Sequence, residues 1–171
     1  MKVIGCRVFW ELVVILAFLF PTGCASVISR EALKEVDRSI SFERLLKNPE
    51  AYQGRTVLLG GDIIDTENHP EKTLIVVLQR PLGRGRKPAS VDVSMGRFIV
   101  IVQGFLDPAI YRPARKITVV GLAAGKETRP LGEIKYAYPL IAKKELYIWP
   151  PENPEGVWPR ISFGVGFGIG F

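Results

Sequence analysis

Between residues 56 and 149 the chain is cut into five short apolar runs, and this pattern limits the fold more than any other feature. The runs cover residues 56–64, 73–79, 97–102, 116–122 and 136–149, the last with Pro139 inside it. Val, Ile, Leu, Tyr and Phe dominate them, they are too short for typical helices, and turn residues separate them, so each reads as a β-strand. With 17 Gly and 13 Pro among 171 residues, many short elements are expected rather than a few long ones. Gly60, Gly61 and Gly121 mark places where strands bend or bulge. Five strongly curved strands predict a small closed or nearly closed barrel.

Two helices are expected around these strands. Ser41 caps a short helix that places Phe42, Leu45 and Leu46 on one face and stops at Asn48 and Pro49, and this helix plugs one end of the core. Between the third and fourth strands, Asp107 as N-cap, Pro108 at the first helical position and Pro113 as terminator predict a second helix over 107–111. Three strands, a helix and two more strands is the order of the OB-fold, so a mainly β, OB-like five-stranded barrel is expected over residues 41–150. Residues 25–40 are polar, mixed in charge and without an apolar stripe, and read as a mobile tether.

The first 24 residues follow different rules. Lys2 and Arg7 form a positive start, residues 12–20 are unbroken apolar, and Pro21, Thr22 and Gly23 lead up to Cys24, which is signal-peptide anatomy. The apolar stretch falls well short of the roughly 20 residues of a spanning helix, and Glu11 blocks its extension. Both cysteines, Cys6 and Cys24, lie in this region, so no disulfide is expected in the folded part. The segment Phe20-Pro21-Thr22-Gly23-Cys24 resembles the lipobox of bacterial lipoproteins, although Pro21 stands where that pattern usually has an aliphatic residue. The resemblance implies removal of residues 1–23 and acylation of Cys24, with residues 24–40 as the lipidated N-terminus and tether. Ala25 and Ser26 after the cysteine, in place of an Asp, imply delivery to the outer membrane.

Further along, Gly60-Gly61-Asp62, Leu78-Gln79-Arg80-Pro81-Leu82, Gly96-Arg97-Phe98, Gly104-Phe105-Leu106-Asp107-Pro108, Val119-Val120-Gly121 and Tyr138-Pro139 occur in the order found in the Slp family of outer-membrane lipoproteins. The chain is similar to that family over residues 24–150. The resemblance implies a starvation- or stress-associated envelope lipoprotein, and it carries only Cys24 over as a modified site.

Candidate chemistry elsewhere is sparse. His69 is the single histidine, near Asp65, Glu67 and Glu71; one His with loop carboxylates is more often a solvated turn than a metal site, so no metal or cofactor is expected. Nucleophilic catalysis lacks a second His, a thiol in the mature fold and a Gly-x-Ser-x-Gly elbow, and loop acids such as Asp62 and Asp65 usually solvate turns, so the chain does not read as an enzyme. The formal charge is +6. Arg80, Arg84, Arg86, Lys87 and Arg97 form a basic cluster around a Gly- and Pro-rich loop, which reads either as a solvated face or as a patch for an anionic envelope ligand, lipid headgroup or lipopolysaccharide. Nucleic acid is an unexpected partner for an envelope protein.

At the C-terminal end, Phe163, Val165, Phe167, Ile169 and Phe171 alternate with glycines. This β-like tail, within the Pro- and Gly-rich residues 151–171, suits pairing with an envelope partner or contact with the membrane. It also resembles the last strand of outer-membrane barrels, which keeps a small integral barrel as an alternative. The combined expectation is a non-enzymatic lipoprotein anchored in the outer membrane through Cys24, with its domain facing the periplasm.

Overall fold

The computed structural model describes residues 26–152. Cys24 and the alternating tail residues Phe163, Val165, Phe167, Ile169 and Phe171 lie outside them. Five strands are formed: β1 (Thr56–Asn68), β2 (Lys72–Gln79), β3 (Arg97–Gln103), β4 (Lys116–Leu131) and β5 (Ile134–Ile148). Two short helices, α1 (Arg30–Lys34) and α2 (Phe42–Lys47), precede them.

The strands close in a ring in the order β1-β2-β3-β5-β4. All neighbours are antiparallel except β3 and β5, which run parallel over a short seam from Ile99 opposite Leu140 to Ile101 opposite Ala142. The expected mainly β, OB-like five-stranded arrangement with short helices is what forms.

Closure depends on β1 serving two partners. Residues 56–62 pair with β4 and residues 61–68 with β2, so the strand must bend where the two pairings overlap. Gly61 stands at that point, and a Cβ there would collide with the carbonyl of Leu78. A shift of register between Ile63 and Asp65 adds a bulge, which increases the local twist. Gly121 plays the same part in β4, where a side chain would strike the backbone of Ala142 and the register with β5 shifts.

Alternation sorts the side chains. Val57, Leu59 and Ile63 from β1, Ile75 and Val77 from β2, Phe98, Val100 and Val102 from β3, Ile117 and Val119 from β4 and Ile141 from β5 fill the interior. As predicted, α2 plugs one end: the Ser41 hydroxyl accepts a hydrogen bond from the Arg44 amide at 3.3 Å, and Phe42 and Leu45 enter the core. The Phe42 ring lies 5.8 Å from that of Phe98.

The expected helix over 107–111 does not form. Asp107 makes a single turn, accepting hydrogen bonds from the amides of Ala109, Ile110 and Tyr111. Propagation fails because Pro113 disfavours helical backbone at Arg112. The connection still closes the second end of the barrel through Leu106 and Tyr111. Thr73, fully buried, ties it down by donating to the Gly104 carbonyl at 2.8 Å and accepting from the Leu106 amide at 3.1 Å.

Residues 28–40 are likewise not the mobile tether that their polarity suggested. Ile28 is fully buried, and α1 is capped by Ser29, whose hydroxyl accepts from the Ala32 amide at 3.1 Å and donates to Glu145 at 2.8 Å. Glu35 pairs with Lys144 and Asp37 with Arg55, while the Asp37 amide bonds to the Thr56 carbonyl. Hydrogen bonds from Ser39 and Arg55 hold the Asp37 carboxyl down to about 2. Ile28, Ile40 and a set of long-range polar contacts thus dock a segment with no apolar stripe.

The last two strands exceed their predicted lengths. Beyond Ala123 and before Tyr138 they continue as a hairpin arm turning at Gly132, in the left-handed region with φ +61. Tyr136 and Tyr138 from this arm pack with Leu74, Val76 and Ile99, making a second apolar cluster distinct from the interior. Arg129 braces the arm by pairing with Glu67 and Glu127, both at 2.6 Å. Burial works against its charge, but the two carboxylates outweigh that and raise its pKa.

Candidate functional site

The basic residues singled out in the sequence separate into distinct environments. Arg80 leaves the end of β2 and donates to Asp62 at 2.7 Å, and Lys116 at the start of β4 donates to the same carboxylate at 2.7 Å. Arg80 also reaches the Val91 carbonyl at 2.6 Å. All three charged groups are mostly covered, so this is a neutralised brace on the barrel's outer side rather than part of an open patch. Lys87 pairs with Glu152 at 3.0 Å and lies 5.9 Å from the centre of the Trp149 ring. Lys87 and Ser90 together lower the Glu152 pKa. Arg97 opens β3 opposite Leu78, with its amide bonded to the Tyr136 hydroxyl at 2.9 Å. Arg80 and Lys87 are thus each engaged by a carboxylate, which separates them from Arg84 and Arg86.

Arg84 and Arg86 do remain together. They stand on a 3-10 turn (Arg84–Arg86) in a loop that folds back over the outside of the barrel, where Leu82 pairs with Pro88. Gly60 makes this possible, because a Cβ there would come within 2.5 Å of the Leu82 side chain and 3.0 Å of Pro88. Arg86 adopts φ +66, a left-handed conformation uncommon outside glycine, and its carbonyl accepts a hydrogen bond from the buried Thr118 hydroxyl at 2.7 Å. Trp149 donates to the same Thr118 oxygen at 2.9 Å. The turn is thus held from below by β4 and the end of β5.

Its neighbours come from the N-terminal segment, which sequence reasoning had set aside. The Arg86 guanidinium donates to the Ser26 hydroxyl at 3.0 Å. Arg30, Leu33, Lys34, Arg38 and Arg86 line a shallow depression of about 210 Å³. Arg30, Lys34 and Arg38 follow one another at four-residue intervals, and that spacing close behind Cys24 was the available signal.

The remaining candidates do not assemble into a reactive centre. The Asp65 carboxylate accepts from the Thr66 amide at 2.8 Å, apart from the Asp62 brace. His69 lies 3.8 Å from Glu67, whose other oxygen is held by Arg129. Among the described residues no group of three His, Cys, Asp or Glu side chains is placed to hold a metal ion. No helix among them is long and apolar enough to cross a membrane.

These features define a small closed β domain with a basic depression between its N-terminal segment and the β2–β3 loop. The chain belongs to the outer membrane lipoprotein Slp family, which it matches over residues 22–164. It is 32% identical to the uncharacterized lipoprotein YeaY of Escherichia coli (strain K12) over 120 residues, 70% of this chain and 62% of that protein. It is 38% identical to an uncharacterized protein of Haemophilus influenzae over 130 residues, 75% of this chain and 69% of that one. The aligned part thus covers less than two thirds of the E. coli relative. No solved structure matches the chain significantly. Family membership makes the protein an outer-membrane lipoprotein, held to the membrane through lipid.

Proposed function

We propose that the protein is a non-enzymatic interaction module of the cell envelope, cut before Cys24, acylated there, and carrying its OB-like domain on the periplasmic side of the outer membrane. The observation that carries this reading is the cysteine at the end of a lipobox-like leader, two residues ahead of a folded domain. An acyl chain contributes about 0.8 kcal/mol per buried methylene, so two or three chains hold the domain permanently without a transmembrane segment. The non-enzymatic role is supported by the pairing of Asp62 with two cations and by the hold of Arg129 on Glu67 beside His69. A role in starvation or stress is what the family resemblance adds.

The tethered module is favoured over an integral barrel by the five-stranded ring itself. Its interior is filled with side chains, and Asp62, Arg80 and Lys116 stand on its outer side. Membrane-spanning barrels have eight or more strands and an apolar outer band. Partner contact through Phe163, Val165, Phe167, Ile169 and Phe171 belongs to the same proposal.

Mass spectrometry of the N-terminal peptide from the native protein tests the anchor. A peptide that begins at Cys24 and carries diacylglycerol is expected, and Cys24→Ser should release the folded domain from membranes. A peptide beginning elsewhere, or a free thiol at Cys24, would overturn the reading.

A further inference from the structure

We propose that Arg30, Lys34, Arg38, Arg84 and Arg86 form a membrane-contact face that binds the phosphates of anionic phospholipids in the leaflet holding the chain's own anchor. This inference rests on acylation at Cys24 as proposed above, and adds an orientation: the barrel lies with its basic depression against the bilayer.

The first support is the distance from the anchor. Arg86 holds Ser26 by a 3.0 Å hydrogen bond, and the two residues from Cys24 to Ser26 reach at most about 7 Å. A lipid at residue 24 therefore brings the headgroup layer beside Arg86 whatever path the intervening chain takes.

Charge is the second. Arg30, Lys34 and Arg38 come from the N-terminal segment and Arg84 and Arg86 from the β2–β3 loop, and none of the five has a carboxylate partner within 4.0 Å among the described residues. Of the acids near them, Glu35 is taken by Lys144 and Asp37 by Arg55, the Glu145 carboxylate is held by the Ser29 amide and hydroxyl, and Glu31 and Asp92 have no such bridge, so cations outnumber the free local acids. Four of the five cations line the same depression or its rim with Leu33. An arginine fork matches phosphate oxygens well, and each basic side chain near an anionic leaflet strengthens association roughly fivefold.

The third is the backbone of Arg86. A non-glycine residue at φ +66 is held there by the Thr118 hydroxyl on its carbonyl and by its own amide on the Gly83 carbonyl. That conformation aims the side chain at the N-terminal segment rather than letting the loop extend. A merely solvated arginine gains nothing from such a constraint.

The test uses the full mature lipoprotein in nanodiscs of phosphatidylcholine alone or mixed with phosphatidylglycerol. Amide hydrogen exchange over residues 30–38 and 83–88 is expected to slow several-fold in the anionic discs, an effect lost at about 0.5 M salt because screening shortens the range of the attraction. Replacing Arg30, Lys34, Arg38, Arg84 and Arg86 together by Ser should abolish the difference while the β-strand amides stay protected. Should that variant misfold, R38S and R84S singly should each reduce the difference in part.

Equal exchange in both discs would overturn the proposal. So would protection seen only with lipopolysaccharide, or only with an acidic envelope protein. The N-terminal peptide mass is measured on the same sample. If Cys24 proves unmodified, the anchor reading fails by that measurement, and flotation of the same chain with phosphatidylglycerol vesicles still decides whether the face binds phosphate.

Discussion

Asp62 shows how much one residue can organise. It faces outward from β1 and receives both Arg80 and Lys116 at 2.7 Å, joining three neighbouring strands on the outside of the barrel. Arg80, Lys116 and Asp62 keep only 15%, 10% and 18% of their side-chain surface in water, so neither cation can be rehydrated cheaply. Asp62→Asn would leave two half-enclosed positive charges facing an amide. A loss on the order of 2 kcal/mol is expected, less than for a fully buried pair because some solvent remains. Urea unfolding checks it, and an unchanged midpoint would mean that Arg80 and Lys116 find other partners.

At the scale of elements, the β4–β5 arm is the part least supported by the interior. Its outer half lies beyond the barrel and depends on Tyr136 and Tyr138 against Leu74, Val76 and Ile99, and on Arg129 against Glu67 and Glu127. Partly exposed ion pairs contribute about 0.5–1 kcal/mol. Arg129→Gln removes both bridges and should speed amide exchange over residues 126–138 by roughly two- to fivefold, with β1 to β3 unaffected. Unchanged exchange in the arm would assign its order to the tyrosines alone. The contrast with α1 is instructive: that helix has only five residues and no buried side chain of its own, yet Ile28 before it and the Asp37–Arg55 pair after it fasten both ends to the domain.

Considered as a whole, the molecule is a ring whose closing contacts join distant parts of the chain. β1 meets β4 across the full sequence of β2 and β3, and the parallel seam between β3 and β5 must wait for the β4–β5 hairpin to turn back. Folds dominated by such non-local pairing reach the native state in milliseconds to seconds, because loop closure costs entropy before the strands reward it. Stopped-flow refolding monitored by Trp149 fluorescence should therefore be slower than a millisecond. A microsecond phase carrying the whole signal would argue against ring closure as the limiting step.

The same distinction between local and distant contacts separates what could be read in advance from what could not. Alternation of Val, Ile and Phe determined the five strands and their inner faces, since period-two burial is a property of each strand alone. Ser41 determined where α2 starts, and the crowding at Gly61 and Gly121 is foreshadowed by glycines inside apolar runs. The β4 half of the arm escaped notice because Lys126, Glu127, Arg129 and Pro130 carry no apolar alternation; their strand conformation is imposed by pairing with residues 135–139. The basic cluster was legible as composition, but not which of its members a carboxylate engages. The partners of Asp62 lie 18 and 54 residues away, and Arg86 meets Ser26 across 60 residues. Only tertiary structure could decide which cations are neutralised by a carboxylate and which are left without one, because charge pairing depends on distance in space.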